Sequence, residues 1–328
     1  MNRKLFLKLL WTTVFFSPGR VSHAGENAPA LVPLLVSDPI NYPESKRFRI
    51  KRPGKYFLTQ DHIQRATYFD SEGRKHKETG GGSMIPIFCG MVELDFRGHV
   101  IATDVAMAGV TLYAADNVGA AKTLSRPASL DNRNVVLRNG TIDLTHGNHF
   151  GNAIDFVEFW RGRNKRNIGR PDDGGGKLLS VKYKENNYRF EDLKVFSNDV
   201  ALTAEGTNTI IRNCIIESSD MAVVFLAGNN VLIENCEIRL KKPQNRSSYP
   251  RAAIVLRDGS HSVIRNNRIR VDYGDGDESK TYCILVRDGA TNVLIENNTF
   301  VNVKGDTVTA TDGSDVILRK NTSDTVWF

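Results

Sequence analysis

The chain of 328 residues carries 44 Lys+Arg against 37 Asp+Glu, a formal charge of +7, with 40% hydrophobic and 25% charged residues. This balance belongs to a folded chain and excludes wholesale disorder; no collagen, heptad or long apolar period is present, which excludes fibrous, coiled-coil and polytopic membrane classes. At this length one elongated domain or two small ones bury a sizeable core.

Arg3, Lys4 and Lys8 precede a short apolar run from Leu9 to Phe16, then the breakers Pro18 and Gly19 and the small-residue site Ser22-His23-Ala24. That order describes a secretory signal peptide over residues 1–24, because the apolar run is too short to cross a roughly 30 Å hydrocarbon layer. Cleavage removes Arg3, Lys4, Lys8 and Arg20 and no acidic residue, lowering the formal charge from +7 to +3. The basicity is therefore partly an export signal, and a nucleic-acid partner is not expected. A secreted or periplasmic location is, with no membrane span after cleavage.

Residues 25–90 read as an entry and cap region. It holds Lys51-Arg52-Pro53-Gly54-Lys55-Tyr56-Phe57-Leu58 and a polar stretch from Asp61 to Gly82, expected as an exposed loop. A repeating phrase begins at Glu93-Leu94-Asp95-Phe96-Arg97-Gly98-His99-Val100-Ile101 and returns over 135–142 and 188–193. It is clearest from Val200 onward: a short apolar strand, a glycine turn, a second strand and a polar turn. The turn glycines at 206, 228, 259, 289 and 313 step by 22, 31, 30 and 24, and the asparagines at 213, 235, 266 and 297 step by 22, 31 and 31. Two anchors drifting together, on β-branched strands without helical periodicity, imply a solenoid of about nine strand-built coils over 91–328. Coils stacked at about 4.8 Å share one core, and each Asn suits a left-handed turn and a ladder to the next coil. On this register Cys214 and Cys236 are stacked neighbours, either disulfide-bonded or small apolar spacers. Trp327 and Phe328 are placed to plug the far end.

The phrase resembles the right-handed parallel β-helix of the pectate-lyase superfamily over roughly residues 90–326. The Pro53-Gly54-Lys55-Tyr56-Phe57-Leu58 strand and the Leu94-Asp95-Phe96-Arg97-Gly98-His99 turn resemble the entry of its smaller exported members. The resemblance implies an all-β right-handed solenoid. It also implies a function among polysaccharide lyases, hydrolases, uronate epimerases or non-catalytic periplasmic proteins. Neither the Asn-Thr-Asp and Gly-His-Gly strings of polygalacturonases nor the Asp-Pro-His-Asp of alginate epimerases occurs, so no catalytic residue carries over from them.

Candidate residues follow from position. Strand alternation, with Ala201, Val223, Ile254, Ile284 and Val308 inward, turns Leu202, Val224, Val255, Leu285 and Thr309 outward, and then Ala204, Leu226, Arg257, Arg287 and Thr311. Arg257 and Arg287 then stack one coil apart, either clamping a uronate carboxylate or pairing with their neighbours Asp258 and Asp288. Asp155 faces outward beside a loop carrying His146 and His149, a constellation suited to proton abstraction next to a sugar carboxylate. Arg161 and Arg163 open a basic, glycine-ended insertion over an acidic chain, while Asp272, Asp275 and Asp277 crowd an acidic loop able to hold Ca²⁺. The expected function is binding of an acidic polysaccharide (a uronan or a cell-envelope glycan) by a monomer, with lyase-type β-elimination or epimerisation. The alternative is a non-catalytic β-helix module that docks a glycan or a partner protein.

Overall fold

The computed structural model describes residues 30–35, 48–64, 67–69, 75–77, 83–104, 108–112, 134–145, 152–156, 186–225, 228–242, 250–273, 280–304, 306–311 and 313–324. Met1–Ala30 is a unit of its own, of which Ala30 alone is described, and Leu31–Phe328 is the second unit.

Parallel pairing between successive coils builds this second unit. One eight-stranded sheet runs through Ser83–Ile87, Ala108–Leu112, Asn152–Phe156, Val200–Ala204, Met221–Phe225, Arg251–Arg257, Thr281–Arg287 and Val308–Ala310, each strand beside the next coil's equivalent. A second sheet of 17 strands takes the remaining legs, starting from Leu31–Leu34 and Gly54–Leu58, which pair with each other; Gly54–Leu58 pairs in turn with Val92–Asp95. The entry region thus supplies coil strands of its own. Within the stretch expected as a loop, His62–Gln64 pairs with Val100–Thr103, and Thr67–Phe69 with Lys75–Lys77 forms an antiparallel hairpin. His62 is buried against the Phe48 ring at 4.9 Å, which gives this polar stretch an anchor.

The core is a set of apolar columns. Tyr56, Leu94, Leu137, Phe190, Ile211, Ile233, Ile264 and Ile295 occupy one column, all buried. Outside it runs a column that changes sign at every coil: Asp95, Arg138, Glu191, Arg212, Glu234, Arg265, Glu296 and Arg319. Ion pairs follow it, Arg138–Asp95 at 3.2 Å, Arg212–Glu191 at 3.0 Å and Arg265–Glu234 at 2.7 Å. In-register stacking demands this alternation, since identical charges one coil apart would repel.

The turns carry the asparagines. Asn213, Asn235, Asn266 and Asn297 all take positive φ, between 54° and 56°. The amide ladder sits one residue later, where Asn267 Nδ2 donates to Asn298 Oδ1 at 3.0 Å and Asn298 Nδ2 to Asn321 Oδ1 at 3.1 Å. In the coils before, Cys214 and Cys236 fill the same position as buried free thiols donating to backbone carbonyls. Their mutual hydrogen bond, then burial, holds the Cys214 thiol well above its ordinary value, so the pair acts as small spacers.

Strict alternation fails once per coil in the eight-stranded sheet. Leu202, not Ala201, lies beside Val223, and both Ala201 and Leu202 pack in the core. The same doublet recurs as Ala153-Ile154, Ala222-Val223, Ala253-Ile254 and Cys283-Ile284. Two successive inward residues require a bend, and the first must be small to fit inside it. Thr203 and Glu205 therefore take the outward positions expected for Leu202 and Ala204.

Candidate functional site

The outer face of the eight-stranded sheet carries three of the candidate residues, Asp155, Arg257 and Arg287. One outward column reads Thr111, Asp155, Thr203, Val224, Val255, Leu285, Thr309. Its first part is polar, with Asp155 flanked in register by two threonines one coil away on either side. Its second part is apolar: Val224, Val255 and Leu285 join Val200, Met221 and Ala252 in a buried cluster distinct from the solenoid core. His146 and His149, which precede Asp155 in sequence, lie outside the described residues, as do Arg161 and Arg163.

Arg257 and Arg287 pair in register, as their spacing requires. Asp288 sits between them: one of its oxygens accepts from Arg257 Nε and the other from Arg287 Nε at 3.2 Å. Burial raises the Asp288 carboxyl, but the hydrogen bond and charge of Arg257, and then Arg287, outweigh it and hold the group below the ordinary range. The Arg257 and Arg287 side chains keep 22% and 16% exposure. Arg257 is three coils and Arg287 four coils from Asp155, on the order of 14 Å and about 19 Å at about 4.8 Å per coil, too far to share one sugar unit with it.

Asp272 gives both carboxylate oxygens to arginines. Oδ2 accepts from Arg239 Nη2 at 2.7 Å and Nε at 2.9 Å, and Oδ1 from Arg270 Nε at 2.9 Å. Burial raises its pKa, and the two guanidinium groups more than reverse that. An oxygen pair engaged in this way does not fit an open Ca²⁺ ligand, and Asp275 and Asp277 lie outside the described residues. Among the described residues no cluster of three His, Cys, Asp or Glu is arranged for a metal ion.

A further charged group, which the spacing of the candidate residues does not single out, stands at the leading edge of the same sheet. Two equivalent turns, Ser197-Asn198-Asp199 and Ser218-Ser219-Asp220, stand one coil apart, and each Asp amide donates to its Ser Oγ at 3.0 Å. The Ser218 hydroxyl donates to the Asp199 carbonyl, tying the turns together. In the next coil the position is Arg251, only 1% exposed, whose Nη2 donates to Ser219 O at 2.7 Å and Lys241 O at 2.8 Å. Its Nε lies 3.9 Å from Asp220 Oδ1. Burial first, and then the charge and hydrogen bond of Asp220, push the Asp199 carboxyl up to about 7. Beside it, Asn198 Nδ2 holds the Thr145 carbonyl at 2.8 Å, the last described residue before the histidine segment. A signal for this group is present in the chain: Ser-x-Asp recurs at 21 residues, the local coil step.

Residues 179–324 match the family described as "Right handed beta helix region". The chain is a right-handed parallel β-helix. Among solved structures, the enzymatically active domain of tailspike protein 2 from bacteriophage CBA120 superposes with a TM-score of 0.50 at 10% identity, covering 87% of this chain. The chain spans 40% of the length of that phage protein, and the likeness is one of fold. Pectin methylesterase PemA from Erwinia chrysanthemi gives a TM-score of 0.42 at 11% identity, covering 92% of this β-helix and 91% of the esterase. The carrot pectin methylesterase gives 0.36 at 12%, covering 82% and 84%. No curated protein matches the sequence.

Proposed function

We propose that this β-helix is an exported protein that binds an acidic polysaccharide along the outer face of its eight-stranded sheet and cleaves it by β-elimination. One observation carries the reading: Thr111, Asp155 and Thr203 form a straight polar strip with one residue per coil. Thr203 is fully buried and Thr111 nearly so, which leaves the half-buried Asp155 as the member of this column able to meet a polymer. Arg257 and Arg287, shared with Asp288, lie further along the same face, where their exposed edges suit a second uronate carboxylate on the same chain. The fold neighbours include pectin methylesterases, which is in keeping with a glycan ligand but does not select a reaction.

In the lyase scheme a guanidinium group, from Arg161 or Arg163, neutralises the uronate carboxylate and acidifies C5. His146 or His149 takes the C5 proton, the C4–O bond breaks, a C4=C5 double bond forms, and the departing oxygen is protonated. Asp155 orients the histidine. Purified protein offered alginate, pectate and related uronans, with and without Ca²⁺, is expected to generate ultraviolet absorbance from the new double bond. Asp155→Asn is expected to reduce that rate by about 100-fold or more while binding persists. Absence of product across the panel rules out elimination.

The partly exposed Arg257 and Arg287, held in place by Asp288, favour a second reading, a non-catalytic module that docks a glycan or a partner protein. Retention on a glycan array without any product, unaffected by Asp155→Asn, selects that reading.

A further inference from the structure

Asp199, Asp220 and Arg251 occupy one register position on three consecutive coils, immediately before the strands of the eight-stranded sheet or at their first residue. We propose that they form a proton-operated latch: one proton shared by Asp199 and Asp220 clasps two coils, and its loss loosens the edge that holds Thr145.

The geometry leaves the pair few other ways to settle its charge. Coils about 4.8 Å apart stack the two aspartates one above the other, and two carboxylates so placed cannot both be ionised without strong repulsion. Arg251 lies above Asp220, not Asp199, and its Nη2 is committed to the carbonyls of Ser219 and Lys241, so it cannot swing down to the lower acid. The Lys241 ammonium, on the same edge, is paired with Glu217. On the coil below, Asp143 adds negative charge while holding the Thr145 amide at 2.8 Å and its hydroxyl at 2.6 Å. Ser197, Asn198 and Ser218 are neutral, as is the buried Thr281 that follows Arg251 on the fourth coil. The stacked serine turns fix both backbones, so the acids cannot separate without breaking the Ser218–Asp199 bond.

The raised Asp199 value agrees with a shared proton. An acid whose folded pKa of about 7 exceeds its unfolded 3.8 binds the extra proton in the folded state. Its contribution to stability is therefore complete at low pH and declines as pH rises between those two values. The latch is closed in mildly acidic surroundings and open in mildly alkaline ones, whether or not the outer face takes a glycan.

Thermal unfolding of the full chain between about pH 5 and about pH 8 tests this, with hydrogen exchange at the Val200 and Met221 amides as a local readout. The wild type is expected to lose several degrees of melting temperature across that window and to exchange faster at the two amides. In Asp199→Asn, whose amide keeps the clasp without a charge, both changes should largely vanish; Asp220→Asn should behave alike. Every other ionisable group is common to the three proteins, so the difference between profiles isolates the pair. Parallel profiles in wild type and variants would overturn the latch, and so would failure of both amide variants to fold, because a neutral amide must be tolerated at a protonated carboxyl.

Discussion

At the scale of single residues, register converts sequence neighbours into electrostatic partners two dozen positions away. Asp288 is the clearest instance, since one carboxylate accepts from two arginines belonging to adjacent coils. Removing it leaves Arg257 and Arg287 stacked as like charges. Asp288→Ala is therefore expected to lower stability by roughly 1–2 kcal/mol, more at low than at high ionic strength, as measured by urea unfolding. An unchanged midpoint at both salt concentrations would show that the triad is only a solvated surface feature. Spacing alone predicts the Arg257–Arg287 stack. It does not reveal that Asp288 bridges both, or that Asp272 is claimed by Arg239 and Arg270, because side-chain direction at a turn depends on a backbone bend that residue spacing does not encode.

At the scale of elements, the coil is the repeating unit and its turns set how closely two coils approach. Gly206, Gly228 and Gly259 stack so tightly that a Cβ on Gly228 would lie 2.3 Å from the Gly206 carbonyl oxygen, and one on Gly259 at the same distance from that of Gly228. Gly289 and Gly313 have open space instead, with left-handed φ of 80° and 76° as their reason for being glycine. A methyl at 228 forces the two coils apart. Gly228→Ala is expected to cost roughly 1–3 kcal/mol, and Gly313→Ala less because only local backbone strain opposes it; paired denaturation curves give the order. The recurring glycines are plain in the sequence, but the two different physical reasons for them are not.

At the scale of the whole molecule, each coil touches only the coils beside it, so a lesion should spread along the stack rather than across it. Ile254 is fully buried at mid-stack, between Val223 and Ile284. Ile254→Ala is expected to remove about 2–5 kcal/mol. Hydrogen exchange should accelerate most in the coils of Val223 and Ile284 and least around Tyr56 and Leu94 at the entry end. Uniform acceleration would instead mark the solenoid as a single all-or-none unit.

The paired drift of glycines and asparagines determined, without coordinates, that the chain stacks as a parallel solenoid. Each anchor needs a left-handed turn or a close approach, and such needs recur only when coils repeat. Asp155 as an outward residue was legible for the same reason, because Ile154 and Phe156 mark its strand's inward positions. Only the tertiary structure decided that Leu202 faces the core, that the outer face is polar at one end and apolar at the other, and that Asp199 meets Asp220 below a buried Arg251. Those outcomes rest on a bend within each strand, on which side of a turn a carboxylate emerges, and on how deeply three coils together bury it.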